Sequence, residues 1–154
     1  MSSRPIRLAV IGLGMASKPH LAALKQLAPN VEVAGVYARS PDRRAEVSQS
    51  WGWDAFASLD DIAASSADGV IVITPPNARA EIVEALAAAG KPILMEKPIE
   101  RDLSRATALV EACEAAHVPL GIVLQHRFRA GAEALTRLAA SGDLGSYDDC
   151  PAGH

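Results

Sequence analysis

The chain has no apolar run approaching the roughly 20 residues that a bilayer-spanning helix needs. It is not expected to bind a membrane. Its basic residues never run beyond two in a row (Arg43-Arg44), and the formal net charge is -3, which argues against nucleic acid as the main partner. There are only two cysteines, Cys113 and Cys150, without metal-ligand spacing. A reducing cytoplasm is the simpler expectation, with a disulfide as the alternative. His20, His117 and His126 are lone histidines without partners at metal-binding spacing, so no metal site is expected. Met1-Ser2-Ser3-Arg4-Pro5 carries no signal-peptide core. What the 154 residues do contain is 49% hydrophobic and 21% charged residues, enough for one well-packed domain.

Strand-like and helix-like segments alternate. Ile6–Ile11 reads as a strand and Leu21–Leu27 lies in the helix after it. Val31–Tyr37 reads as the second strand. Ser40-Pro41-Asp42 opens a helix, with Ser40 at the N-cap, Pro41 at the first helical position and Asp42 at the positive dipole end. Trp53–Ala57 reads as a short third extended piece, and Leu59–Ile62 as helical. Gly69–Ile73, nearly all β-branched, reads as a fourth strand buried on both faces of a parallel sheet. Asn77 is expected to cap a helix from Ala78 to Ala89, followed by a strand over Pro92–Met95. A helix from Leu103 to Ala116 carries apolar residues at 103, 106, 109, 110 and 113, and Pro119–Leu124 reads as the last strand. This alternation predicts an α/β, doubly wound parallel sheet of the Rossmann type. Residues 1–124 carry this alternation, and residues 125–154 leave it, with a helix over Ala132–Ala140 and a turn at Gly142–Gly145.

Gly12 and Gly14 directly follow the first strand. Gly12 permits a tight bend, Gly14 lets backbone approach a pyrophosphate, and Ser17 takes the third, small position of the fingerprint. The second strand ends Tyr37-Ala38-Arg39-Ser40 without the carboxylate that accepts from the ribose hydroxyls in NAD sites. Ala38 removes a group that would repel a 2′-phosphate, Arg39 offers a guanidinium fork and Ser40 a hydroxyl. NADP is therefore preferred over NAD. Arg39 as a solvated surface charge, with Ser40 only capping its helix, is the alternative. Thr74-Pro75-Pro76-Asn77 makes a rigid loop whose Thr74 and backbone can line the cleft, or a plain turn into a helix cap. Glu96-Lys97-Pro98 follows a strand, at the sheet edge where open α/β folds bind ligands. In extended backbone Glu96 and Lys97 point to opposite faces. Lys97 can orient a substrate oxygen, or the two can be a surface salt-bridging pair. His20 is expected to order the loop or helix start. His126 and Arg127 follow a strand end and can face the cleft. Trp51 and Trp53 read as packing residues.

Gly12-x-Gly14 with His20 six residues beyond, the Thr74-Pro75 loop and above all Glu96-Lys97-Pro98 resemble the Gfo/Idh/MocA oxidoreductases, from Ile6 to about Phe128. The resemblance implies a nicotinamide-dependent enzyme acting on a small sugar, cyclic polyol or related hydroxyl compound. It implies that Lys97 is the catalytic residue at the substrate and nicotinamide site. Cofactor-binding residues are then Gly12, Gly14, Met15, Ala38, Arg39, Ser40, Thr74, Pro75, Asn77, Glu96 and Lys97. The family often has a histidine where this chain has Arg79. Its members are longer two-domain proteins, so the resemblance implies that residues 1–124 make the dinucleotide-binding domain and residues 125–154 are only the start of a second α+β domain; the tail Ser146–His154 lacks the strand alternation that follows in them. A truncated or frameshifted chain, inactive by itself, is the expectation. Apolar surface left uncovered would favour a homo-oligomer. A non-catalytic dinucleotide-binding module, or a fragment without function, is the alternative.

Overall fold

A computed structural model of the chain describes residues 4–143 and Gly145. Its strands are β1 (Ile6–Ile11), β2 (Val31–Tyr37), β3 (Gly69–Val72), β4 (Ile93–Glu96) and β5 (Leu120–Val123). Its helices are α1 (Ser17–Gln26), α2 (Pro41–Trp51), α3 (Leu59–Ala64), α4 (Ala80–Ala88), α5 (Leu103–Ala115) and α6 (Ala130–Ser141). Two compact units divide between Val123 and Leu124. The first holds a parallel sheet in the order β2-β1-β3-β4-β5. The second holds a 3₁₀ turn, Gln125–Phe128, and α6, closed by Gly142 in the left-handed region.

The period-2 alternation of the strands splits the core between the two faces of the sheet. Ala9 and Ile11 of β1, with Val70 and Val72 of β3, join Ile62, Val83, Leu86, Met95, Leu109 and Cys113. That face is covered by α3, α4 and α5. Val10 and Ile71 turn the other way, to Leu21 and Leu24 of α1 and Val47 of α2. Every residue of β3 is buried, as its β-branched run requires.

The start of β1 is locked by a half-buried carboxylate. Asp68 receives both terminal nitrogens of Arg4 at 2.6 and 2.7 Å and the Arg7 amide at 2.8 Å. These bonds, the Arg4 guanidinium first, hold the Asp68 carboxyl below its ordinary 3.8, at about 2.

Four local expectations are corrected. Trp53–Ala57 is not a strand: only Ala55 bridges to Val36, at the outer edge of β2. The Gly69–Ile73 segment is therefore the third strand, not the fourth. Asn77 does not cap α4, because Pro76–Ala78 forms a 3₁₀ turn closed by the Ala78 and Arg79 amides on Pro75 and Pro76. That turn delays the helix to Ala80. The apolar stripe of α5 is narrower than its sequence suggests, with Leu109 and Cys113 buried and Leu103 exposed at the first turn. Ser40, by contrast, caps α2 as expected, accepting from the Arg43 amide at 3.3 Å. Trp51 and Trp53 stack at 5.3 Å and pack against the α1–α2 core. The tail Ser146–His154, with Cys150, lies outside the described residues.

Candidate dinucleotide site

A parallel sheet brings every strand's carboxyl end to one edge, and the strand order reverses around β1. Ligands of open α/β sheets bind at such a switch point. Three loops meet there. The Gly12 amide donates to the Tyr37 carbonyl at 2.9 Å, and the Ile73 amide to the Ile11 carbonyl at 2.7 Å, so the ends of β2 and β3 flank the end of β1.

Gly12 has φ +98°, and a Cβ there would lie 2.7 Å from the Thr74 nitrogen and 2.8 Å from the Ile73 carbonyl carbon. Its role is thus double: the bend of the turn and the close seating of the β3 loop. Gly14 is different. A Cβ there would meet nothing within 4 Å, so the backbone faces open space. Met15 beside it is also exposed. Ser17 is fully buried and donates from Oγ to the Gly14 carbonyl at 2.7 Å, holding the turn against the first residue of α1. No side chain caps α1. The Ser17 amide is used on the Gly14 carbonyl at 3.0 Å and Pro19 has no N–H, so of the first three residues of α1 only Lys18 offers its amide to an anion, which the helix dipole favours.

Arg39 and Ser40 are exposed beyond β2, and Ala38 is half-buried. Arg43, which the sequence reading did not single out, donates from Nε to the Leu13 carbonyl at 2.7 Å and pairs with Glu46 at 2.6 Å. It ties the glycine turn to the first turn of α2. Thr74 is half-buried, and its Oγ1 is buried without a hydrogen-bond partner among the described residues. Pro75 and Asn77 are exposed.

At the end of β4 the tripeptide divides its work. Glu96 accepts the His20 ring Nε2 at 2.9 Å on Oε1 and the Lys97 amide at 2.9 Å on Oε2. Both side chains of the first pair are largely buried, at 17% and 15% exposure. Lys97 is exposed, and among the described residues its ammonium forms no ion pair. The surface-pair alternative for Glu96 and Lys97 therefore does not hold, since Glu96 is held by His20.

Buried behind these loops is Arg79, 1% exposed. Its Nε and Nη2 donate to the Thr74 carbonyl at 3.0 and 2.8 Å, and its Nη1 donates to the carbonyls of Pro98 and, at 3.2 Å, Ile99. Burial pushes the guanidinium below its ordinary value, while the charges of Glu100 and Glu96 pull it up. A buried carbonyl that loses its donor costs about 1–3 kcal/mol, so this fork holds the Thr74 and Pro98 loops in register.

A model described as "Oxidoreductase family, NAD-binding Rossmann fold" (GFO_IDH_MocA) matches residues 6–123. The chain belongs to this family. Inositol 2-dehydrogenase of Leifsonia xyli subsp. xyli is 31% identical over 150 residues, covering 94% of this chain and 44% of that protein. UDP-N-acetylglucosamine 3-dehydrogenase of Acidithiobacillus ferrooxidans is 33% identical over 120 residues, covering 76% of this chain and 36% of that protein. Among solved structures, the WlbA dehydrogenase of Bordetella pertussis, in complex with NADH and UDP-GlcNAcA, superposes with a TM-score of 0.85 at 28% identity. That match covers 92% of this chain and 44% of the other. The chain thus spans less than half the length of these Gfo/Idh/MocA relatives.

Gly14, Arg39, Thr74 and Lys97 follow the carboxyl ends of β1, β2, β3 and β4, and Asn77 lies on the 3₁₀ turn of the same loop as Thr74. His126 and Arg127 belong to the second unit, in an exposed 3₁₀ turn. Among the described residues no group of His, Cys, Asp and Glu could hold a metal ion, and no helix is long and apolar enough to cross a membrane.

Proposed function

We propose that the protein is an NAD(P)-dependent oxidoreductase that interconverts a hydroxyl and a carbonyl on a sugar, cyclic polyol or related compound. The observation that carries the reading is the meeting of the Gly12–Gly14 turn, the Thr74 loop and Lys97 on one sheet edge. The residues fit a dinucleotide: Gly14 faces open space, α1 begins without a side-chain cap, and Thr74 Oγ1 is a buried hydroxyl without a protein partner among the described residues. Relatives named for inositol and for a UDP-sugar support the substrate class.

In this reading the nicotinamide, when bound, takes up or supplies a hydride. The protein's residues do the rest. Gly14, Met15 and the Lys18 amide at the start of α1 hold the pyrophosphate. Thr74, Pro75 and Asn77 line the cleft, and Glu96 keeps Lys97 in place by accepting its amide. Lys97 donates a hydrogen bond to the reacting oxygen and so stabilises the negative charge that develops there, the hydroxyl proton passing to solvent water. Lys97 is the catalytic residue of this proposal. Residues 1–124 form the cofactor domain, and 125–154 begin a second, substrate-covering one.

NADP is the preferred cofactor. Ala38 at the end of β2 leaves no carboxylate to repel a 2′-phosphate, and Arg39 and Ser40 are exposed where such a group would lie. NADH in the Bordetella pertussis structure makes NAD the competing cofactor. Titration of the purified chain with NADPH and NADH, followed by nicotinamide fluorescence, tests both levels. NADPH is expected to bind more tightly. Tighter NADH binding overturns the NADP preference, and binding of neither overturns the dinucleotide reading.

A further inference from the structure

The sequence marks Arg79 only as a departure, an arginine where the family often has histidine. In the structure it is the one fully buried cation among the described residues, and its hydrogen bonds reach three main-chain carbonyls from two loops. Thr74 follows β3, whereas Pro98 and Ile99 follow β4 directly after Lys97. Among the described residues no side-chain carboxylate pairs with it; Glu96 and Glu100 act on it only through their charge. A planar fork with five donors can bridge carbonyls on opposite sides. An imidazole, with two ring nitrogens, cannot reach three.

We propose that Arg79 is a positioning residue for Lys97. By drawing Pro98 and Ile99 against Thr74, the guanidinium fixes the backbone on which Lys97 stands relative to the loop that lines the cleft. Glu96 holds the same backbone from the other side through the Lys97 amide. Lys97 is thereby held between two anchors, one on each neighbour, and among the described residues its ammonium forms no ion pair. The inference rests on the oxidoreductase reading, in which Lys97 faces the nicotinamide end of the cofactor.

Two ligands separate positioning from stability: NADPH, and 2′-phospho-ADP-ribose, which keeps the adenosine half and lacks nicotinamide. Both are titrated against the unaltered chain, Arg79→Gln and Arg79→Lys. Arg79→Lys keeps the charge and the stem but can no longer bridge the two loops, and it carries the test where Arg79→Gln does not fold. Loss of the fork is expected to weaken NADPH about tenfold, the size of one charge-assisted hydrogen bond, while 2′-phospho-ADP-ribose changes less than about twofold. Equal weakening of both ligands, or of neither, overturns the positioning role while leaving the cofactor reading intact. If the unaltered chain binds neither ligand, the oxidoreductase reading fails and the positioning role falls with it.

Discussion

His20 Nε2 lies 2.9 Å from Glu96 Oε1, across 76 residues of sequence, and joins the first helix to the end of β4. The pair ties the pyrophosphate end of the proposed site to its catalytic end. Because both groups are largely buried, their coupling exceeds that of a surface pair. Glu96→Ala is expected to lower stability by about 1.5–3 kcal/mol, since a hydrogen bond to a charged acceptor is lost and the Lys97 amide is released. A double-mutant cycle with His20→Ala, read by urea denaturation, checks the link. Additive losses would show that the two residues do not act on each other.

Gly12→Ala meets two penalties at once, a positive φ and a Cβ driven into the Thr74 backbone. A strained position of this kind costs about 1–3 kcal/mol. The variant is expected to melt at lower temperature and to bind dinucleotide more weakly. Gly14→Ala, with nothing within 4 Å of its Cβ, is expected to keep the parent's melting temperature and lose affinity alone. Calorimetry and fluorescence titration on the same two samples separate the cases.

Arg39→Ala addresses cofactor choice. Loss of a charge-assisted contact to the 2′-phosphate is expected to weaken NADPH about tenfold and to leave NADH unchanged. A parallel fall for both cofactors would reassign Arg39 to a general surface role.

Asp68 links acidity to the integrity of β1. Its folded-state carboxyl is depressed from 3.8 to about 2, so its stabilising contribution is complete above 3.8 and disappears as pH falls through about 2. Asp68→Asn is expected to lower stability at neutral pH and to flatten the acid limb of the stability curve. Urea midpoints measured across that window, for parent and variant, decide it.

Local chemistry made much of the fold legible in the sequence. The strands announce themselves by β-branched runs, and Ser40 caps α2 because the amide it accepts from lies only three residues along. Where two local signals compete, the sequence misleads. Asn77 looks like a cap, but Pro76 preorganises a 3₁₀ turn and moves the helix start past it. The site's candidates were legible from strand ends, because a parallel sheet puts all carboxyl ends on one edge. Their supports were not. Glu96 finds His20, and Arg79 finds Pro98 and Ile99, only after the strands have paired. Arg43 was missed for the same reason, since its Leu13 partner is 30 residues away.

The Arg79 fork touches main-chain atoms only. It is therefore blind to which side chains stand at 74, 98 and 99, so long as the backbone keeps its course. Substitutions on those loops can alter what the cleft presents to a ligand without dismantling the frame beneath. A fold held this way separates the part free to diversify from the part that is not, and the boundary between them runs through a single buried cation.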